Sequence, residues 1–329
     1  MKKTTIVHIA LLSAIVIVIV VAGIMLYRWN AGINTDREAD VEQIDPAEFD
    51  IETMDMIIPL DSSRLAGHED DGELQILCLG NNPFSDDRSE TGLASLIAKK
   101  TGAKVYDGSF PDSSAAFKNY PIDVNYPLDH FSLPSISNAL LASNFKTLNS
   151  ACKYMPDPSA YQPGIDALEA VDMNKIDVIV IMYDSTDYNK GTPCVNEAVP
   201  EDVQAFTGGI TFFLNIVNSQ WPHIRCFVMT PTYAQYMDEN GKLFSGTVKD
   251  VGNGALPYYV QNEVSAVVGC GCSIIDNYYG TINESNYEEY MIDHMHYNEA
   301  GREKIADRIS EIINNNMGTV SSTSENAND

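Results

Sequence analysis

The sequence predicts one doubly wound α/β domain built on a five-stranded parallel sheet, and three observations predict it. Five short apolar runs, at 74–79, 103–106, 176–182, 223–229 and 272–276, are bounded by turn residues, as buried strands are. Between them lie segments whose apolar residues recur at helical spacing. Strand and helix patterns that alternate in this way favour a parallel sheet with helices on both faces.

Taken in order, LQILCL at 74–79 reads as a buried strand, and 91–100 carries helical spacing. A second short strand follows at 103–106. The stretch 109–173 is looser, with helices predicted around 136–152 and 163–171. IDVIVIM at 176–182 is the strongest strand, since a continuous apolar run is what a central parallel strand covered on both faces requires. A helix over 201–219 and a strand over 223–229 come next, and Asp238-Glu239-Asn240-Gly241 predicts the turn of a small surface hairpin. A helix over 256–268, a strand over 272–276 and a helix over 298–314 complete a domain spanning 74–317. In the last helix Asn298 is a candidate N-cap, and Ile305, Ile309 and Ile312 share one face.

Outside this domain the sequence changes character. Lys2 and Lys3 precede an apolar run of 21 residues from Ile6 to Leu26. Such a run crosses a hydrocarbon core of roughly 30 Å at about 1.5 Å per residue. A cleaved signal peptide has a shorter apolar region, about 7–15 residues, and a small-residue exit, whereas Tyr27-Arg28-Trp29 follows here. The expectation is an uncleaved signal anchor over 1–28, with a cytoplasmic N-terminus and an extracellular C-terminal domain. Residues 29–73 read as an acidic stalk, with a short stretch at 54–60 able to dock on the domain, and 318–329 as a disordered tail.

Charge bounds the partners. Twenty basic against 46 acidic residues leave a formal net charge of −26, which repels nucleic acid and anionic lipid surfaces. Neutral or cationic substrates are expected. Of six cysteines, Cys78 and Cys226 lie in strand-like runs and read as small buried hydrophobes. Cys270-Gly271-Cys272 has no second ligand pair at zinc spacing, and the disulfide pattern stays open.

In doubly wound sheets functional groups gather beyond the carboxyl ends of the strands. The first strand leads into Gly80, Asn82 and Ser85, before a helix whose free amides can stabilise an oxyanion. The second leads to Ser109 and Asp112, the third to Ser185 and Thr186, and the fifth to a loop ending Asp293-His294-Met295-His296. His296 falls just before a rigid helix start, and Asp293 can reach back to hold its ring in one tautomer. That is the base-and-orienter half of a hydrolytic triad; the plainer reading is a capping aspartate beside a surface histidine. Histidines two apart at a helix entrance seldom share one ion, so a metal role for His294 and His296 is disfavoured, and no cofactor is implied. The tyrosine-rich stretches at 258–259, 278–279 and 287–290 could line a sugar-binding cleft, or simply be half-buried around loops.

The segment Asp293-x-x-His296-x-Asn298-x-Ala300-Gly301 resembles the last conserved block of the SGNH (GDSL-like) hydrolases. The strand at 176–182 with Asp184-Ser185-Thr186-Asp187 resembles their third block, and LQILCLGNN their first. The resemblance spans roughly 74–316 and implies a flavodoxin-like sheet, the SGNH hydrolase fold. It also implies metal-free esterase, lipase or carbohydrate-deacetylase activity, with His296 as general base and Asp293 as its orienter. The letters depart from the family: its serine falls on Asn82, its second-block glycine near Asp112, and its third-block asparagine on Thr186. An amide cannot form an acyl-enzyme, and Asp112 sets negative charge where an oxyanion should develop. Ser85 is then the nearest substitute nucleophile (or else a turn serine beside Pro83), with Ser185 and Ser109 weaker candidates. Gly80 and Asn82 amides and Thr186 would shape the oxyanion site. Two functions follow: a membrane-anchored extracytoplasmic hydrolase of acylated glycans or other envelope esters, or a catalytically lapsed relative that binds a glycan or envelope partner.

Overall fold

A computed structural model describes residues 53–68 and 71–317. The chain divides into Met1–Asp50 and Ile51–Asp329; the signal anchor, the stalk as far as residue 52 and the tail 318–329 lie outside the described residues. Among the described residues no helix is long and apolar enough to cross a membrane.

Five parallel strands form the sheet: β1 (Gln75–Gly80), β2 (Lys104–Asp107), β3 (Val178–Met182), β4 (Arg225–Met229) and β7 (Ser273–Ile275), in the order β2-β1-β3-β4-β7. Strands β1, β3 and β4 are buried along their whole length, which is why their sequences run apolar without alternation. Their residues still divide between two cores. Leu77, Leu79, Ile179 and Ile181 face one side; Ile76, Cys78, Val178 and Val180 face the other. Helices α1 (Asn82–Ser85), α2 (Leu93–Thr101) and α11 (Glu299–Met317) pack on the second side. The first side carries α3 (Leu133–Ala142), α4 (Lys146–Cys152), α5 (Pro158–Ala170), α7 (Phe206–Gln220) and α8 (Leu256–Gly269). Short helices α6 (Thr186–Asn189), α9 (Asn277–Gly280) and α10 (Tyr287–Tyr290) lie in the loops beyond β3 and β7.

Helix boundaries differ from the periodicity in instructive places. The helix predicted around 136–152 is two helices, because Ser143 turns into the left-handed region at φ 46° and ends α3. The α5 helix starts five residues before Pro163, at Pro158, where Asp157 caps the Ser159 amide; Pro163 is carried inside it. In the predicted hairpin, β5 (Gln235–Met237) pairs antiparallel with β6 (Leu243–Ser245) around Asp238–Gly241. Asn298 caps α11 by accepting from the Gly301 amide at 2.9 Å.

The segment read as spacer also enters the fold. Met56 forms an antiparallel bridge with Ile274 on edge strand β7. Asp55 receives two hydrogen bonds from the Arg308 guanidinium and one from the Asp276 amide. Ile58 donates to Ser273 and accepts from Arg225. Residues 54–58 thus cover backbone groups that β7 would otherwise present to solvent.

Candidate active site

Strand β1 must turn sharply once its last residue leaves the sheet, and Gly80 permits it: φ is +150°, and a Cβ there would lie 1.8 Å from the Met182 carbonyl oxygen. The next two residues are clamped from below by Asp184, buried at the end of β3. Asn81 and Asn82 each donate an amide hydrogen bond to Asp184, both at 2.8 Å, and the Thr186 amide donates a third at 2.8 Å. In return the Asp184 amide donates to the Asn81 Oδ1 at 2.9 Å. The Asn82 Oδ1 is used as well, accepting from the Asp112 amide at 2.8 Å. Asp112 itself sits in the left-handed region at φ 53°, a conformation that favours glycine.

These contacts fix the fate of the expected oxyanion donors. The Asp112 amide is spent on the Asn82 Oδ1, and Asn82 gives one of its two side-chain N–H groups to Asp184, which leaves the second N–H as its one remaining donor. The Thr186 hydroxyl is buried without a hydrogen-bond partner. Ser85 is not brought into hydrogen-bond contact with His296: its hydroxyl is buried and has no partner at all. The physical reason is local, since the Ser85 amide bonds back to Asn81 in the tight turn of α1, and that turn holds the side chain inward. Ser109 is bound to Asp107 at 2.6 Å and to Arg88, and the Ser185 hydroxyl accepts from Asn189. Both are structural in this arrangement.

The loop before α11 is built differently. Asp293 Oδ1 accepts the backbone amides of Met295 and His296, each at 2.8 Å, while its Oδ2 lies 2.7 Å from the His296 Nδ1. One carboxylate thereby fixes both the loop and the ring, and the bonded Nδ1 leaves Nε2 as the basic nitrogen. Partial burial works against the Asp293 charge, but those amides and the imidazole hold its carboxyl below the usual range. Desolvation pulls the His296 pKa down; the Asp293 hydrogen bond and the charges of Asp86, Asp293 and Asp184 outweigh it and raise the value. The His294 ring lies 3.9 Å from the Asp293 Oδ1, and its carbonyl accepts from Gln235 on the hairpin.

Two residues that sequence reasoning passed over complete the setting. Asp86, the C-cap of α1, is open to solvent yet crowded enough by protein for desolvation to raise its pKa to about 6, with His296 opposing and Asp184, Asp112 and Asp293 adding to the rise. Asp184 stands where the third-block motif begins, and its role as clamp depends on partners about a hundred residues earlier in the chain. Among the described residues no three His, Cys, Asp or Glu side chains are placed to share one metal ion. The arrangement offers an oriented imidazole base at the carboxyl ends of the strands, beside a floor whose amides are mostly committed.

No family profile and no curated protein sequence matches the chain. Solved structures do. One is 18% identical with a TM-score of 0.54, covering 74% of this chain and 98% of its own. A protein from Lactobacillus plantarum is 13% identical with a TM-score of 0.51, covering 74% and 97%. A carbohydrate acetylesterase from Sinorhizobium meliloti is 12% identical with a TM-score of 0.42, covering 73% and 98%. At these identities the likeness is one of fold.

Proposed function

We propose that this chain, a divergent relative of the GDSL/SGNH lipases and esterases in fold, hydrolyses acyl esters with His296 as general base. The observation that carries the reading is the Asp293 grip on the His296 Nδ1 at 2.7 Å, which orients the ring and leaves Nε2 for proton transfer. Ser85 would have to rotate out of its buried site to act as nucleophile. Water needs no such step. Water attacks the acyl carbon as its proton passes to Nε2. The tetrahedral intermediate collapses with cleavage of the acyl–oxygen bond, and Nε2 returns the proton to the departing alkoxide, giving acid and alcohol. Thr186 carries an unused hydroxyl donor at the strand ends. Because the Asp112 amide is committed to Asn82 and only one Asn82 N–H remains, oxyanion stabilisation is sparse and turnover is expected to be modest; each missing donor costs about 10²–10³ in kcat.

Acylated glycans or other envelope esters are the substrate class, on the expectation that the apolar N-terminal run anchors the domain outside the membrane. The test is turnover of acetylated sugars by the purified chain. His296→Ala should abolish it, and equal turnover by that variant removes the hydrolase reading. A second reading, a lapsed relative that binds glycan without cleaving it, is favoured by Asn82, an amide that cannot form an acyl-enzyme and is held in place by Asp184 and Asp112. Glycan binding indifferent to His296→Ala, with no ester cleaved by the unsubstituted protein, would establish it instead.

A further inference from the structure

We propose that a cavity of about 520 Å³ beside the strand ends binds an anionic group of the acylated substrate through Lys118 and Lys190. The inference deepens the hydrolase reading and rests on it for the word substrate. The cavity is walled by both lysines, Tyr126, Ser114, Thr192 and Gln204, and no acidic residue lines it. In a chain of net charge −26 that is a local reversal of sign. Neither lysine forms an ion pair with a carboxylate among the described residues. The Lys118 ammonium lies 4.5 Å from the centre of the Tyr126 ring. The Lys190 ammonium donates to the Asp112 carbonyl at 2.6 Å and meets the Ser114 hydroxyl at 3.4 Å, which leaves one of its three N–H groups uncommitted.

The carboxylates whose charge acts on Lys190 are Asp187, Asp112, Asp184 and Asp129. Three of them are buried and held by other donors: Asp184 by Asn81, Asn82 and Thr186, Asp129 by Lys118 and Asn119 amides, Asp187 by the Ala115 amide. Asp187 and the exposed Asp112 still act on Lys190, but neither forms an ion pair with it, so both ammonium groups remain available to an anion in the cavity. Lys190 also ties the cavity to the loops of the candidate site. Lys190 bonds to Asp112, which bonds to Asn82, and its neighbour Asn189 lies 3.7 Å from the sulfur of Met295, one residue before His296. A contact path through Asp112 and Asn189 therefore links the Lys190 end of the cavity to the loop that carries the imidazole. Ammonium groups act as point charges and do not separate a carboxylate from a phosphate. A sugar acid and a polyol phosphate share the chemistry.

The full chain in detergent tests this by calorimetry with glucuronate, inorganic phosphate and glucose. Expected is salt-weakened binding of glucuronate or phosphate but not glucose, about tenfold weaker in Lys118→Gln or Lys190→Gln, the usual size of one charged hydrogen bond. Lys99→Gln, exposed on α2, is the charge control and should bind as before. Which anion binds tells the two sources apart. No binding of either, or binding that survives in the double variant Lys118→Gln/Lys190→Gln, overturns the proposal. Turnover supplies a second arm. The kcat/KM ratio of an acetylated sugar acid to its neutral analogue should be about tenfold and fall to about one in the double variant. Equal turnover of both by the unsubstituted chain would contradict the assignment to substrate. Failure to cleave any ester would remove the hydrolase reading while leaving the anion site to the calorimetry.

Discussion

His296 owes its chemical readiness to a single neighbour. Asp293 accepts two backbone amides and holds Nδ1, so the ring is oriented before any substrate arrives. Because the His296 pKa is raised, its basic form becomes predominant at a higher pH than for an ordinary histidine, whose value is about 6.5. Activity should accordingly fall as pH drops through that raised value, and the acidic limb of kcat/KM against pH reads it. Asp293→Asn removes the charge that raises it. The limb should move to lower pH and kcat should drop by about a hundredfold or more, the range of lost acid–base assistance. A limb that stays in place would separate Asp293 from the chemistry. At Asn82 the expectation concerns stability. Asn82→Ala leaves Asp184 one donor short and strands the Asp112 amide, costing about 1–3 kcal/mol in denaturant unfolding.

At the scale of elements, strands proved more legible than helices. A buried parallel strand leaves an uninterrupted apolar run, and β1, β3 and β4 each do. Helix ends depend on single residues: Ser143 in a left-handed turn divides one predicted helix, and an Asp157 cap moves the start of another. The strap over β7 was visible only as a short apolar interruption in acidic sequence, because its partners, Arg308 and Ser273, lie more than two hundred residues away. The strap also sets a prediction. Asp55→Ala uncouples Arg308 and leaves the Asp276 amide unpaired, and should cost about 1–3 kcal/mol in chemical unfolding. An unchanged midpoint would mean that the strap is ornamental to the domain's stability.

For the whole molecule, charge misleads when read as an average. A net of −26 predicts repulsion of anions, yet two lysines from separate loops meet at one cavity without an acidic wall. Such convergence follows from the crossover topology and leaves no local signal. The Asp293–His296 motif was legible because both residues lie within one turn of loop; the Asp184 clamp was not, since Asn81, Asn82 and Asp184 lie beyond the ends of two different strands. Glu263 carries a third property of the molecule. It is fully buried in α8, and desolvation, with Asp187 and Asp276 adding to it, pushes its pKa well above the ordinary carboxylate value. The folded state therefore binds a proton that the unfolded chain releases above its own value of about 4.5. Stability from this group is complete below that value and declines as pH rises towards the raised one. Glu263→Gln should raise Tm at pH 8 by more than at pH 5, at about 2–4 °C per kcal/mol for a domain of this size.

The proposed hydrolysis has an oriented imidazole acting on water to cleave an ester, with Asn82 standing where the resembled hydrolases would carry a serine. Its most direct measurement is kcat/KM on an acetylated sugar for the unsubstituted chain, His296→Ala and Ser85→Ala side by side. The account predicts a loss of about a hundredfold or more in His296→Ala and a rate within about twofold of the unsubstituted chain in Ser85→Ala, the latitude of a substitution that touches no reacting atom. Turnover abolished by Ser85→Ala, or undiminished by His296→Ala, would contradict it.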